Sequence, residues 1–333
     1  MKILIAADLV PTALSEPLFI EQDMQALFGD VRSLVEDADR LVVNLECVLT
    51  TSENRIKKFG PCIKADPRCA DTIKKLGVTD VMMANNHVFD FGVEGLKDTI
   101  ANLERVGLPY TGVGENDTLS RKPYIVQQDG KTLGFINVCE HEYSYALPDR
   151  MGANPFDPFL TMRDIRALCQ EMVENGADVV ISQHSHCIGC YEEYNGAHIV
   201  YGQGNFHFYW DNMRDIWYTS LLVQLEIEDG LKIQFIPLIS KNKGIDIARG
   251  EEADKIMSDF EARNVELQNG EWKKGWRAFC ESVIPTYHRV LTGLCLEDTE
   301  ERKTENFAHY LDCEAHTDVW RELFKTWNTT NEK

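Results

Sequence analysis

Val179-Val180-Ile181-Ser182-Gln183-His184-Ser185-His186 is an apolar run that ends in a His-x-His pair. Branched apolar residues this closely spaced predict a buried strand. Residues i and i+2 of a strand share a face, so two imidazoles at that spacing at the strand's end converge on one point. Neutral imidazole is a common metal ligand. Alone, the pair is a weak signal, because many surface His-x-His pairs bind nothing. Three other segments have the same form. Ile3-Leu4-Ile5-Ala6-Ala7-Asp8 and Val42-Val43-Asn44-Leu45-Glu46 are apolar runs closed by a carboxylate, and Val81-Met82-Met83-Ala84-Asn85-Asn86-His87 is followed by Asp90 and Gly92. In open α/β sheets the carboxyl ends of the strands share one rim, where sites assemble. Four such runs predict a composite metal site built on that rim.

The remaining pattern is alternating strand and helix. Strands are predicted at 1–9, 40–46 and 78–84, a largely helical stretch at 20–38, and helices from Pro67 to Leu76 and from Gly92 to Gly107. Leu96, Ile100, Leu103 and Val106 line one face of the last of these, and Gly107 ends it. A short strand follows at Pro109 to Val113. Asp129-Gly130 and Asp229-Gly230 each separate two strand-like runs, the strongest short-range hairpin signal. Parallel-type units followed by hairpins predict an α/β fold of packed sheets with helices outside. From Lys241 the character changes. Lys241-Asn242-Lys243-Gly244 reads as a linker, which divides the chain into a domain at 1–240 and a helical C-terminal extension at 241–333. Trp272, Trp276, Trp320 and Trp327 lie in that extension and are expected to pack its helices onto the rest.

Asn44-Leu45-Glu46, Ala84-Asn85-Asn86-His87 with Asp90 and Gly92, His184-x-His186 and Gly202-Gln203-Gly204-Asn205-Phe206 together resemble the CapA family. That family is named for bacterial capsule and poly-γ-glutamate synthesis and belongs to the calcineurin-like metallophosphatase superfamily. The resemblance covers about residues 1–240 and implies an αββα sandwich. It implies one or two divalent ions (Mn, Fe or Zn) that activate water for attack on a phosphoester or an amide of γ-glutamyl type. By this resemblance Asp8 and His186 hold a first ion, Glu46 bridges, and Asn86 and His184 hold a second. His87 is the general acid, expected to be partly accessible, with Asp90 orienting it or capping the turn before Gly92. Asn44 and Asn205 fall on the substrate side, and the glycine-rich turn lets backbone approach the site. The competing class is a non-catalytic accessory protein that handles an anionic polymer such as poly-γ-glutamate.

Two departures stand out. The family's Gly-Asp opening is Ala7-Asp8 here. More seriously, family members carry an additional strand ending in a His-Gly-Gly or His-Trp-Gly-x-Glu motif before the His-x-His strand. Its histidine completes the second ion's shell. This chain runs instead through Ile165, Leu168, Cys169, Met172 and Val173, the stripe of one continuous amphipathic helix expected over 161–176. About one strand–helix unit is omitted, which predicts a missing sheet strand and an under-coordinated second ion. His141, which follows a strand, is the alternative ligand, although similar residues accompany the usual motif in related sequences.

Bulk properties fit a globular enzyme. The 333 residues carry a net charge of −20, which opposes non-specific binding to nucleic acid or anionic lipid and leaves a small molecule or an anionic polymer as the expected substrate. No apolar run reaches the ~20 residues that span a bilayer. Met1-Lys2 leads straight into the first strand, with no room for a cleavable leader, so a cytoplasmic location is expected. Ten cysteines scattered through apparent core segments suit a reducing compartment. The C-x-x-C at Cys187 and Cys190 lacks a second pair and reads as packing or as support to the site.

Overall fold

The computed structural model describes residues 1–58, 60–140, 142–156, 165–292, 300–312 and 314–329. His141 and the first part of the helix expected over 161–176 lie outside the described residues. The strands are β1 Lys2–Val10, β2 Arg40–Leu45, β3 Val48–Leu49, β4 Lys64–Ala65, β5 Asp80–Met82, β6 Tyr110–Thr111, β7 Val113–Gly114, β8 Tyr124–Gln128 and β9 Lys131–Phe135. They continue as β10 Gly152–Ala153, β11 Val179–Ile181, β12 Tyr191–Tyr194, β13 Ala197–Val200, β14 Asn205–Phe208, β15 Thr219–Ile227, β16 Leu231–Lys241 and β17 Gly244–Ile247. The main sheet runs β17-β16-β15-β1-β2-β5-β6, with β14 also paired to β1. β14, β1, β2, β5 and β6 are parallel to one another, and β15, β16 and β17 add antiparallel.

Period-two alternation along these strands builds the layers. Leu4, Val43, Val81 and Leu222 face short helices, among them Glu16–Glu21, Met24–Phe28, Cys69–Leu76 and Gly92–Arg105, which bury Phe19, Phe28, Ile73 and Leu96 against them. A fully buried phenylalanine contributes about 1.5–3 kcal/mol. Ile3, Val42, Val223 and Leu225 face the opposite way, onto Leu133 and Phe135 of β9 and onto Val179, Ile181, Tyr191 and Val200. The helix Ile165–Glu174 then covers the far side of β11 and β13 through Cys169, Val173, Val180 and Ile199. The order is helix, sheet, sheet, helix, as expected. The second sheet, however, comes in two pieces among the described residues, a β8–β9 hairpin and a three-stranded β11-β13-β12.

Turn chemistry accounts for most of the connections. Asp129 and Gly130 both take positive φ (52° and 72°), the geometry of a two-residue hairpin between β8 and β9. Residues 241–244 are not a linker. Asn242 and Lys243 also take positive φ (52° and 68°) and turn β16 tightly into β17, which extends the main sheet. Gly244 is required there because a Cβ would lie 2.0 Å from the Ala26 carbonyl oxygen. The helical stretch expected over 20–38 is three short helices, broken where Gln22 and Gly29 adopt positive φ.

The chain forms two compact units, residues 1–56 with 62–262, and 57–61 with 263–333. In the first unit Ile256 and Phe260 of the helix Glu251–Asn269 pack on Ile188, Leu221 and Ala248. In the second unit Trp276 and Trp320 join Cys280, Tyr287 and Val319 in a separate small core. Among the described residues no helix is long and apolar enough to cross a membrane.

Candidate metal centre

A single extra residue in β1 aims the first acid. Ile5 registers with Val42 and Asp8 with Asn44, so three steps along β1 match two along β2. This bulge at Ala6-Ala7 moves Asp8 to the face of Ile3 and Ile5. Without it, alternation would leave Asp8 with Leu4 and Ala6 beneath the helices. Asp8 is fully buried between β2 and β14, opposite Asn44 on one side and Asn205 on the other. Its Oδ1 accepts from Asn44 Nδ2 at 2.8 Å.

Glu46 follows β2, 1 % exposed, with its backbone N–H donating to the Leu9 carbonyl. His186 arrives from the loop beyond β11, and its Nδ1 lies 3.3 Å from Asp8 Oδ2 and 3.8 Å from Glu46 Oε2. Donor atoms of Asp8, Glu46 and His186 all fall within 4.8 Å of one another. Burial lowers the His186 pKa, but the contact and charge of Asp8 and the Asn205 hydrogen bond outweigh it and hold the pKa above 6.5. Asp8 Oδ2 makes no hydrogen bond of ordinary geometry in this buried setting. A buried carboxylate oxygen facing an imidazole nitrogen and a second acid suits a divalent cation, so the residues present fit a metal.

The two histidines reach the site differently from the expectation. β11 ends at Ile181, and His184 and His186 both have positive φ (92° and 55°), so strand alternation does not set their directions. His186 turns in under the rings of Phe208 and Trp217, each 5.0 Å away centroid to centroid. His184 stays exposed, its ring 6.3 Å from that of His186, outside the three-residue cluster. Left-handed conformations at bulky residues cost about 1–3 kcal/mol each and concentrate at functional sites. The glycine-rich turn makes the approach possible. A Cβ on Gly202 would lie 2.8 Å from the Cys187 carbonyl, and Gly189 N–H donates to the Gly202 carbonyl.

The Asn85-Asn86-His87 turn is built from its own amides. Asn85 Nδ2 donates to Asn44 Oδ1 at 3.1 Å and to the Leu45 carbonyl, and its Oδ1 accepts from His87 N–H. Sequence reasoning assigned Asn85 no role, although it is the first polar residue closing an apolar run, next to Asn86 and His87. Asn86 is buried on the same turn. His87 Nδ1 lies 2.7 Å from Asp90 Oδ2, which also accepts from Ile63 N–H at 2.6 Å. The helix that starts at Gly92 has Phe91 at its capping position and no side-chain cap, so the Asp90 carboxylate serves His87 and Ile63. His87 is 6 % exposed, more buried than expected of a general acid. Burial, with Cys69, Glu46 and Asp90 nearby, pushes the Cys47 thiol well up and keeps it protonated. Cys187 and Cys190 are half-buried and lie outside the donor cluster.

A profile described as "Bacterial capsule synthesis protein PGA_cap" matches residues 4–158 and 159–209, two stretches that abut in this chain. The chain belongs to that family. Within it, the PGA biosynthesis protein CapA of Bacillus subtilis is 26 % identical over 243 residues, covering 62 % of this chain and 63 % of that protein. The capsule biosynthesis protein CapA of Bacillus anthracis is 26 % identical over 243 residues, covering 61 % and 58 %. The chain thus spans about three-fifths of the length of these relatives. A 5'-nucleotidase precursor from Thermus thermophilus superposes with a TM-score of 0.40 at 11 % identity, over 72 % of this chain and 54 % of that one.

Proposed function

We propose that this capsule synthesis family member is a metal-dependent hydrolase whose substrate is a phosphoester or an amide of γ-glutamyl type. The observation that carries the reading is the cluster of two buried carboxylates and an imidazole within 4.8 Å. A divalent ion (Mn, Fe or Zn) held there would supply Lewis acidity and an acidified water. Asp8 and His186 would hold a first ion, Glu46 would sit between the two sides, and Asn86 and His184 would serve a second ion. His87 donates a proton to the leaving group through Nε2, since Asp90 holds Nδ1. Asn44 keeps Asp8 in place through its amide, and Asn205 lies beside His186.

One observation favours a second reading, a non-catalytic accessory protein that binds an anionic polymer. His184 stands outside the cluster and exposed, so the second half of a two-ion site is not gathered. Protein purified without chelator separates the two by its metal content and by turnover on phosphoester and γ-glutamyl panels. The hydrolase reading expects at least one equivalent of metal and a His87→Ala variant that keeps it while turnover falls ~10²–10⁴-fold. Absent metal together with absent turnover leaves the accessory reading.

A further inference from the structure

Resting on the metal-centre reading above, the geometry points to Asn205 as a direct ligand of the ion, its carboxamide oxygen a fourth protein donor beside Asp8, Glu46 and His186. Asn205 is fully buried, and β14 pairing places it in register with Asp8. Its Oδ1 lies 2.9 Å from His186 Nδ1. Three oxygens from three parts of the chain therefore surround one imidazole nitrogen, at 2.9, 3.3 and 3.8 Å. That nitrogen offers at most one proton in one direction, so it can satisfy only one of the three acceptors. A cation among them satisfies all four atoms. Donors bonded to one ion at about 2.0–2.2 Å stand about 3.0–3.4 Å apart; Asn205 and Asp8, at 2.9 and 3.3 Å from Nδ1, are close to that spacing, and Glu46, at 3.8 Å, is somewhat farther.

The orientation of the amide supports ligation. Asn205 Nδ2 donates to the Trp217 carbonyl at 3.4 Å, which assigns nitrogen to that side and oxygen to the His186 side. The position is stitched in place by the Ile188–Gln203 bridge and the Gly189 to Gly202 hydrogen bond, which join the His186 loop to the turn preceding Asn205. Gly204 next to it has φ 83°, and a Cβ there would sit 2.6 Å from the Thr219 carbonyl. With Asn205 included the set is three oxygens and one nitrogen, two of the oxygens anionic. Such an oxygen-rich set would accommodate an ion of the Mn²⁺ kind, the probe used below, although a nitrogen–oxygen site binds copper and zinc intrinsically more tightly.

Mn²⁺ titration of the full chain, followed by electron paramagnetic resonance and by water-proton relaxation, tests this without any substrate. Relaxation counts the waters on the bound ion. Asn205→Ala should raise the Mn²⁺ dissociation constant at least tenfold and add one coordinated water. Asn205→Asp, which places a carboxylate at the same point, should bind Mn²⁺ more tightly than wild type with an unchanged water count. A weaker Asn205→Ala site with no added water makes Asn205 only a positioning residue for His186 and overturns ligation. Wild-type affinity and hydration in Asn205→Ala overturn it as well. If Asn205→Ala does not fold, an Asn205→Asp variant no tighter than wild type does the same. Wild-type protein that binds no Mn²⁺ would instead sink the metal-centre reading itself.

Discussion

Replacing Glu46 with glutamine should stabilise the metal-free protein while weakening its response to metal. Asp8 and Glu46 are 0 % and 1 % exposed, and their donor oxygens lie within 4.8 Å. At an effective dielectric constant of about 20, two like charges at that separation repel by at least about 3 kcal/mol. His186, 3.8 Å from Glu46, offsets part of this. A net gain of about 1–3 kcal/mol remains for Glu46→Gln without metal, or about 2–10 °C in melting temperature for a unit of this size. With Mn²⁺ at one hundred times its dissociation constant, wild type should gain about 2.7 kcal/mol. A variant that binds tenfold more weakly gains about half of that at the same concentration. The gap between the two proteins therefore narrows by about 1.3 kcal/mol in Mn²⁺, the variant melting higher in chelator and wild type responding more to Mn²⁺. Thermal unfolding followed by circular dichroism in both buffers reads this directly. A variant that melts lower in chelator, or that keeps the full wild-type shift in Mn²⁺, would refute the argument that these carboxylates are poised for a cation.

Arg40→Met should cost about 3–5 kcal/mol in urea unfolding, because it strands the fully buried Asp80 that Arg40 pairs through Nε at 2.9 Å and through Nη2. Metal affinity should not change, since Arg40 starts β2 and lies roughly 17–20 Å along it from Glu46; a cost below about 1 kcal/mol contradicts the buried-pair argument. Burial, then His309, depress the His316 pKa to about 4 from 6.5. The folded form stays neutral while the unfolded chain takes up a proton. That stability is fully present above about pH 6.5 and is lost as pH falls toward 4. Hydrogen exchange in the helices Trp272–Leu291 and Glu314–Thr329 should accelerate at pH 5 relative to pH 7.5 after correction for intrinsic rates, and His316→Gln should flatten the difference. Calorimetric titration of chelator-stripped protein should give one tight divalent site and a second clearly weaker; two equal tight sites contradict the under-coordinated second ion.

The layer order was legible because each strand writes its face twice, once in its apolar alternation and once in the polar residue that ends it. Ile3 and Ile5 against Leu4, or Val179 and Ile181 against Val180, sort correctly by parity alone. The gathering of Asp8, Glu46 and His186 was legible for the same reason, since each follows such a run. Parity fails where the backbone leaves the regular ladder. The bulge before Asp8 inverts its face, and the positive φ values at His184 and His186 separate two imidazoles that alternation would have paired. β14 was missed because its partner β1 lies some two hundred residues away in the sequence, a distance over which local pattern carries no register. The turn at 241–244 was misread for a related reason, as Asn-Lys-Gly is polar and flexible in sequence whether it links or folds back.

On the two-ion reading proposed above, the break in the second sheet and an incomplete second-ion side would share one physical origin. β9 pairs only with β8, and β11 only with β13, so each presents an unpaired edge among the described residues. Unpaired edges with apolar neighbours are normally covered, yet Ile136, just past β9, is 75 % exposed, and Leu133 and Phe135 are only half-buried. The family match stops at 158 and resumes at 159, between β9 and β11, as it would if family positions had been removed there. The described helix Ile165–Glu174 passes through Gly176, φ 103°, directly into β11, with no strand between. A strand inserted at that point would pair both open edges and bring its terminal histidine to the rim. Of the proposed first-ion donors, Asp8 comes from β1 and Glu46 from the end of β2, and His186, which like His184 follows β11, is held by the stitched Gly189–Gly202 loops. His184 follows β11 at the broken edge, and it is the proposed ligand left exposed. On the proposed two-ion reading, the absence of such a strand would weaken the second ion's side more than the first.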